Sequence, residues 1–189
     1  MTVHSIATTA TTLRSRARSW LLVELNDRHH ARALKVYAAL VASHFLEHLA
    51  QLGQVFVLGW ARPDAGGLLG LALPGLAMAE VLHTTWNSLQ LTGLILLLPG
   101  FSGTARAAWW WRIALALQAW HWFEHAFLQV QFATGIYFYG AIKQMSVLER
   151  FVPRIELHFA YNLLVFVPTV AAIVLLLRAR RSEVARVRA

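Results

Sequence analysis

The sequence contains no cysteine, and only 14% of its 189 residues are charged. The absence of cysteine excludes disulfides, thiolate metal sites and iron–sulfur clusters, so any metal ion must be held by nitrogen and oxygen ligands. Acidic residues are also scarce, 9 against 17 lysines and arginines, which gives a net charge of +8. Because 58% of the residues are hydrophobic, the composition is too apolar for an ordinary soluble domain.

The apolar residues are grouped in four long blocks. Each block is long enough to cross a hydrocarbon core of ~30 Å, which requires ~20 helical residues. The blocks cover residues 33–60, 75–99, 108–132 and 153–177. We therefore expect an all-α integral membrane protein in which four transmembrane helices form a bundle over residues 33–177.

Two connecting segments carry weaker signals. Residues 66–74 are expected either to extend the second helix or to form a short re-entrant piece that is broken at Pro74. Residues 136–150 are expected to form an amphipathic segment at the outer face that covers the bundle.

Basic residues are divided unevenly between the two sides that four spans would create. Of the 17 basic residues, four lie on the side opposite the termini, namely Arg62, Lys143, Arg150 and Arg154, and the other 13 lie on the side of the termini. This asymmetry predicts a multi-pass protein with both termini in the cytoplasm, in the plasma membrane of a bacterium. Residues 1–32 and 178–189 would be basic cytoplasmic segments, with residues 14–25 as an amphipathic surface helix. Anionic lipid headgroups account for this charge without a nucleic-acid partner.

Two polar motifs recur within the apolar blocks. Residues 44–48 read HFLEH and residues 121–125 read HWFEH, while residues 83–87 read HTTWN and residues 158–162 read HFAYN. The sequence thus predicts a tandemly duplicated helical hairpin, with HxxEH on the first helix and HxxxN on the second. Because each hairpin has two spans, the copies would have the same orientation, related by a pseudo-twofold axis along the membrane normal.

The spacing of these motifs places their polar side chains on one face of each helix, since positions i, i+3 and i+4 are neighbours. An ionisable group at the bilayer centre costs ~2.5–3.5 kcal/mol, so these faces should point into the bundle. We predict a metal site with the ligands His44, Glu47, His48, His83, His121, Glu124, His125 and His158. Glu47 and Glu124 are also candidate catalytic bases, and Asn87 and Asn162 are candidates for supporting the cofactor. The roles of Glu80 and Glu156 stay open, because both residues break the repeat.

Imidazole binds iron, copper and zinc, and twofold repetition favours two ions. The expected cofactor is therefore a pair of transition-metal ions, iron or copper, with zinc as a further possibility. His158 lies five residues beyond Pro153, which places the site between the midplane and the outer leaflet. Access from outside or from the lipid is then easier than access from the cytoplasm.

The function that this pattern favours is a metal-dependent membrane oxidoreductase or oxygenase, which acts on a lipid-soluble substrate and uses a redox partner. Four alternatives stay open: a membrane cytochrome with b-type haem, a transporter of metal ions or protons, an intramembrane zinc hydrolase, and a structural polar network. The hydrolase is suggested because HxxEH is the inverted zinc-peptidase motif. The oligomeric state cannot be read from the sequence.

Overall fold

The computed structural model of the chain describes residues 22–77 and 80–188, which are largely helical and contain no β-strand. After a helical stretch over residues 22–26, the described residues form six α-helices. These are α1 (His30–Phe56), α2 (Gly67–Ala72), α3 (Pro74–Ala77), α4 (Glu80–Leu97), α5 (Ala105–Thr134) and α6 (Arg154–Arg188). The expected all-α class is confirmed.

The four long helices pack side by side in a ring. α1 contacts α4, α4 contacts α5, α5 contacts α6, and α6 returns to α1. Their ends differ from the expected blocks: α1 ends at Phe56 rather than at residue 60, α4 begins at Glu80, and α5 begins at Ala105. The expected separate tail over residues 178–189 is for the most part a continuation of α6, which extends to Arg188.

Residues 66–74 do not extend the second long helix. They form α2, and α3 then begins at Pro74. Proline disfavours helical geometry at the residue before it, which explains the break at Leu73. Leu73 has φ of −143°, outside the helical region.

The short helix α2 is fastened to α1. Gly67 has φ of +72°, a conformation that glycine adopts at low cost. Its N–H donates to Gln54 Oε1 at 2.7 Å, and its carbonyl accepts from Gln54 Nε2 at 3.0 Å. A Cβ at this position would lie 2.3 Å from Glu47 Oε1. Close approach to α1 therefore requires a glycine here.

The apolar core lies at one end of the bundle, where α1 and α5 begin and α4 and α6 end. Trp111 stacks on Phe101 with 4.3 Å between ring centroids, and its indole N–H donates to the Leu94 carbonyl at 2.9 Å. Other members of this core are Leu34, Tyr37, Val41, Leu97, Ala107, Ala108, Ala114, Ala172 and Leu176. The motif residues lie farther along the bundle, away from this packed end.

Two segments lie outside the four long helices, residues 14–25 and residues 136–150. The amphipathic helix expected over residues 14–25 lies mostly outside the described residues. Residues 136–150, which were expected to form an amphipathic outer segment, contain 3₁₀ turns at Phe138–Gly140 and Leu148–Arg150. Gln131 organises this loop, because its side-chain oxygen accepts from the N–H groups of Phe138 (2.9 Å) and Met145 (3.3 Å).

Large apolar side chains cover the outside of the long helices, while many polar ones lie inside. Exposed examples include Leu46, Leu49, Phe56, Leu89, Ile95, Trp109, Phe123, Phe132, Leu164 and Val167. Within the described ranges, one helix is both long enough and apolar enough to cross a membrane, α6 over Arg154–Val187. The expected four-span topology and the cytoplasmic termini stay predictions.

Candidate metal centre

The six motif histidines, which come from four different helices, lie together inside the bundle. Five of them are buried and His83 is partly buried. Neighbouring ring centroids are 4.6–6.3 Å apart. His48, His83, His125 and His158 form the centre of this histidine cluster, and His44 and His121 flank it.

Several ring contacts in the two halves of the chain correspond, although His48 and His83 are 6.3 Å apart and their counterparts His125 and His158 are 4.9 Å apart. His44 and His48 have centroids 4.6 Å apart, and their counterparts His121 and His125 have centroids 4.7 Å apart. The contacts between halves also match, at 5.7 Å for His48 with His158 and 5.8 Å for His83 with His125.

The aromatic residue of each HxxxN motif lies in an equivalent place. Trp86 stacks on His44 at 5.5 Å between centroids, and Tyr161 lies against His121 at 4.7 Å. These two contacts extend the correspondence between the halves beyond the histidines themselves.

The ring of His158 is oriented by the backbone of its own helix. Its Nδ1–H donates to the Arg154 carbonyl at 2.8 Å, since a carbonyl can only accept. The proton is thereby fixed on Nδ1, and Nε2 keeps its lone pair inside the cluster. A ligand histidine in a metal site commonly has its other ring nitrogen bonded in this way.

The first-half histidines form a short hydrogen-bonded chain. His48 Nδ1 is 2.8 Å from Gln51 Oε1, and His48 Nε2 is 3.3 Å from His44 Nε2. With Gln51 Oε1 as the acceptor, His48 Nε2 accepts a hydrogen bond from His44, which then has its lone pair on Nδ1. The Gln51 amide thus sets the tautomers of both rings.

Several ring nitrogens in the second half are buried without a hydrogen-bond partner among the described residues. They are Nδ1 and Nε2 of His121, both ring nitrogens of His125, and Nε2 of His158. Buried polar atoms are rarely left unsatisfied in proteins, and such a concentration is typical of a place that takes a metal ion, a ligand or water.

The carboxylate of Glu47 is hydrogen-bonded to backbone outside the histidine cluster. Its Oε1 accepts from the Leu69 N–H at 2.8 Å and its Oε2 from the Leu68 N–H at 3.1 Å, at the start of α2. A carboxylate in this position satisfies N–H groups that a helix start leaves without intrahelical partners. Each Glu47 oxygen thus accepts one backbone hydrogen bond, and the role of Glu47 as a metal ligand or base stays a prediction.

Glu124 has a different environment from its counterpart. It is 2% exposed, and its Oε1 has no hydrogen-bond partner among the described residues. The Tyr161 hydroxyl lies beside this carboxylate and accepts from the Trp120 indole N–H at 2.8 Å. Of the two motif glutamates, Glu124 is thus the one with an oxygen still available.

Asn87 and Asn162 use their side chains to hold helix backbone. Each donates from Nδ2 to the carbonyl of the motif histidine four residues earlier, at 2.9 Å for both pairs. Asn87 Oδ1 also accepts from Gln118 Nε2 at 2.9 Å. The expectation that both amides support a cofactor stays a prediction.

The glutamates that break the repeat form ion pairs. Glu80 pairs with Arg154, and Arg154 Nε also lies 3.4 Å from Glu149 Oε1. Glu156 pairs with Arg62. These ion pairs tie α4 and the 61–66 loop to the start of α6. Their partners are distant in sequence, which explains why the motifs did not reveal them.

A cleft of about 440 Å³ opens beside the first-half histidines, between α1, α2 and α4. His44, His48, His83 and Trp86 line its inner end, and Leu46, Leu68, Leu69, Ala72 and Leu82 line its sides. α2 is thus one wall of this approach to the cluster.

Two further residues, Arg154 and Gln118, contribute to the site and were not predicted from the motifs. Arg154 orients His158 and pairs with Glu80, and Gln118 bonds Asn87. A signal for Gln118 was present, because it lies three residues before His121 and so shares its helix face. Among the described residues, no group of three or more histidine or acidic side chains is arranged so that it could hold a metal ion.

Comparisons with protein-family models, with curated proteins and with solved structures give no match to this chain.

Proposed function

We propose that the chain is a four-span membrane metalloprotein, in which the histidine cluster holds two transition-metal ions and acts in an oxidoreductase reaction on a lipid-soluble substrate. The observation that carries this proposal is the convergence of six motif histidines from four helices. Their ring centroids lie 4.6–6.3 Å from neighbours, within reach of shared ions after side-chain rotation.

The distribution of polarity supports the membrane part of the proposal. Histidine, glutamine, asparagine and glutamate side chains fill the interior, and leucine, phenylalanine and tryptophan lie exposed. Soluble proteins rarely expose large continuous apolar surfaces. Inward-facing polar groups also lower the mean hydropathy of α1, α4 and α5, although the surfaces that these helices present outward are apolar.

Correspondence between the halves supports a duplicated hairpin. Matched ring contacts and two equal Asn-to-carbonyl hydrogen bonds are expected if one hairpin was copied and both copies kept their geometry. A parallel repeat requires an even number of spans in each copy, so it also favours four crossings.

The hydrogen bonds of the neutral imidazole rings support metal binding. Neutral histidine is the form that ligates metals, and a ligand ring usually donates its other N–H to a carbonyl or carboxylate. His158 has this arrangement, and His121 and His125 supply further buried nitrogens without partners among the described residues. In this proposal each half supplies three histidines, and Glu124 supplies a carboxylate to the second half.

A purely structural network is the weaker explanation of the same residues. Such a network should satisfy its members, because a buried donor or acceptor without a partner costs about 1–3 kcal/mol. Haem is also disfavoured, since a macrocycle between any two of these closely spaced rings would displace neighbouring imidazoles. Iron and copper bind imidazole, and either can carry the electrons of an oxidoreductase.

Metal analysis of histidine variants tests the proposal. In detergent-purified protein, His48→Ala combined with His125→Ala should remove the bound iron or copper, because one central ligand is lost from each half. His29→Ala is the matched control, since this half-exposed histidine lies outside the cluster and should leave the metal content unchanged. Full metal content in a folded double variant would refute the proposal.

A further inference from the structure

We infer that the cleft between α1, α2 and α4 binds a lipid-soluble molecule with an oxygen-bearing head, which accepts a hydrogen bond from the Trp86 indole beside the first-half histidines. This inference rests on the proposed function, because it names the class of substrate and the half of the site that receives it.

The cleft has the size and lining of a small-molecule site. Its volume of about 440 Å³ falls within the range of ~300–1,000 Å³ that is usual for such sites. Leu46, Leu69 and Leu82 provide apolar walls, which suit a hydrocarbon chain. Because α1 and α4 carry exposed apolar side chains on their outer surfaces, a molecule dissolved in the bilayer could enter the cleft from the side.

Most polar side chains that line the cleft are already committed to protein. Ser43 donates to the Leu40 carbonyl at 2.9 Å, Glu47 accepts from the start of α2, and Gln51 bonds His48. A ligand head therefore finds its polar contacts at the inner end, where the histidines lie.

Trp86 supplies the specific contact. Its ring stacks on His44, while its Nε1–H is buried and has no hydrogen-bond partner among the described residues. An indole N–H can only donate, so its partner must be an acceptor. A small rotation of the indole would turn this N–H toward the cleft, where a hydroxyl or carbonyl oxygen would satisfy it and would be held against the first-half histidines.

The second half lacks an equivalent arrangement. Tyr161, which corresponds to Trp86, has its hydroxyl engaged by the Trp120 indole and lies beside Glu124. In addition, the segment between α5 and α6 contains no α-helix that corresponds to α2. The two halves are therefore similar in their histidines and different in access, so the substrate meets one half alone.

Photolabelling tests this inference. The probe is a dodecanol analogue with a diazirine on its chain, applied to the metal-loaded protein in detergent, and the labelled peptides are identified by mass spectrometry. Label should concentrate on the α2 and α4 residues that line the cleft. Unlabelled dodecanol should compete about tenfold better than dodecane, because only the alcohol satisfies Trp86.

Three variants sharpen the test. Leu82→Trp fills the cleft and should lower labelling about tenfold, whereas Val81→Trp places the same bulk on an exposed neighbouring position and should not. Trp86→Phe keeps a ring on His44 but removes the N–H, so the advantage of dodecanol over dodecane should disappear.

Metal content measured on the same samples separates the inference from the proposed function. Metal-loaded protein with label spread evenly over its apolar surface, or with an unchanged dodecanol preference in Trp86→Phe, overturns the inference and leaves the proposed function standing. Cleft labelling with the predicted variant pattern in protein that binds no metal supports the ligand site and refutes the metal proposal. Competition by phospholipid as strong as that by dodecanol would overturn the assignment of a small lipophilic ligand.

Discussion

His158 donates its Nδ1–H to the backbone carbonyl of Arg154 across 2.8 Å. This bond leaves the lone pair of the ring on Nε2, the nitrogen that faces the other histidines. The donor and the acceptor belong to the same turn of α6. The pairing of Arg154 with Glu80 and Glu149 then fixes this turn relative to α4 and the preceding loop. The orientation of one candidate ligand is thus linked to ion pairs at the end of the bundle.

His158→Ala should lower the affinity for iron or copper by at least about tenfold, because an oriented ligand is lost from the centre of the cluster. The measurement is metal titration of the purified protein. Free imidazole should partly restore binding, since the substitution leaves a space of the same shape. An unchanged affinity would show that His158 is not a ligand.

The two motif glutamates should respond differently to the same substitution. Glu124→Gln removes a buried carboxyl group one helical turn from His121 and should reduce metal affinity by roughly tenfold or more. Glu47→Gln should leave metal binding unchanged but weaken the start of α2, so that hydrogen exchange at Leu68 and Leu69 rises roughly fivefold. Equal metal loss in both variants would instead support the symmetric roles that the repeat suggests.

Gly67→Ala should destabilise the protein by roughly 1–3 kcal/mol. Its φ of +72° disfavours any side chain, and the new Cβ would collide with the Glu47 carboxylate. Thermal unfolding in detergent measures the effect. Gly53→Ala is the control, because nothing lies within 4 Å of a Cβ there and alanine favours the helix. Equal melting temperatures for both variants would mean that α2 is not docked in this way.

His30, which precedes the first predicted span, should make stability depend on pH. Burial and the nearby Arg180 lower the pKa of His30 below its usual 6.5, and its Nδ1 accepts from Arg180 at 2.8 Å. Since the folded pKa is the lower one, this contribution is fully present above about pH 6.5 and is lost as pH falls through the folded pKa. His30→Ala should flatten that part of the melting-temperature profile below pH 6.5, and an unchanged slope would contradict it.

The sequence predicts the helical class and the placement of the six histidines on inward helix faces, because both follow from local spacing. An i, i+4 pair such as His44 and His48 must share a helix face, and polar groups in apolar helices must face inward. That they form one cluster also depends on helix packing, which the repeat indicated through its matched motifs.

The role of Glu47 could not be predicted in the same way. Its partners are the backbone N–H groups of Leu68 and Leu69, and no side-chain pattern marks backbone groups that come from a distant segment. The ion pair between Glu80 and Arg154 could not be predicted from the motifs for a similar reason, since 74 residues separate the two. The repeat suggested equal glutamates, and the insertion of α2 in one half is what makes them unequal.

Metal analysis by mass spectrometry of the purified wild-type protein, with an absorption spectrum of the same sample, tests the central claim most directly. The account predicts about two equivalents of iron or copper per chain, the number held by known His/Glu di-metal helical bundles, and no Soret band. Protein that stays free of metal after reconstitution with iron and copper would contradict it.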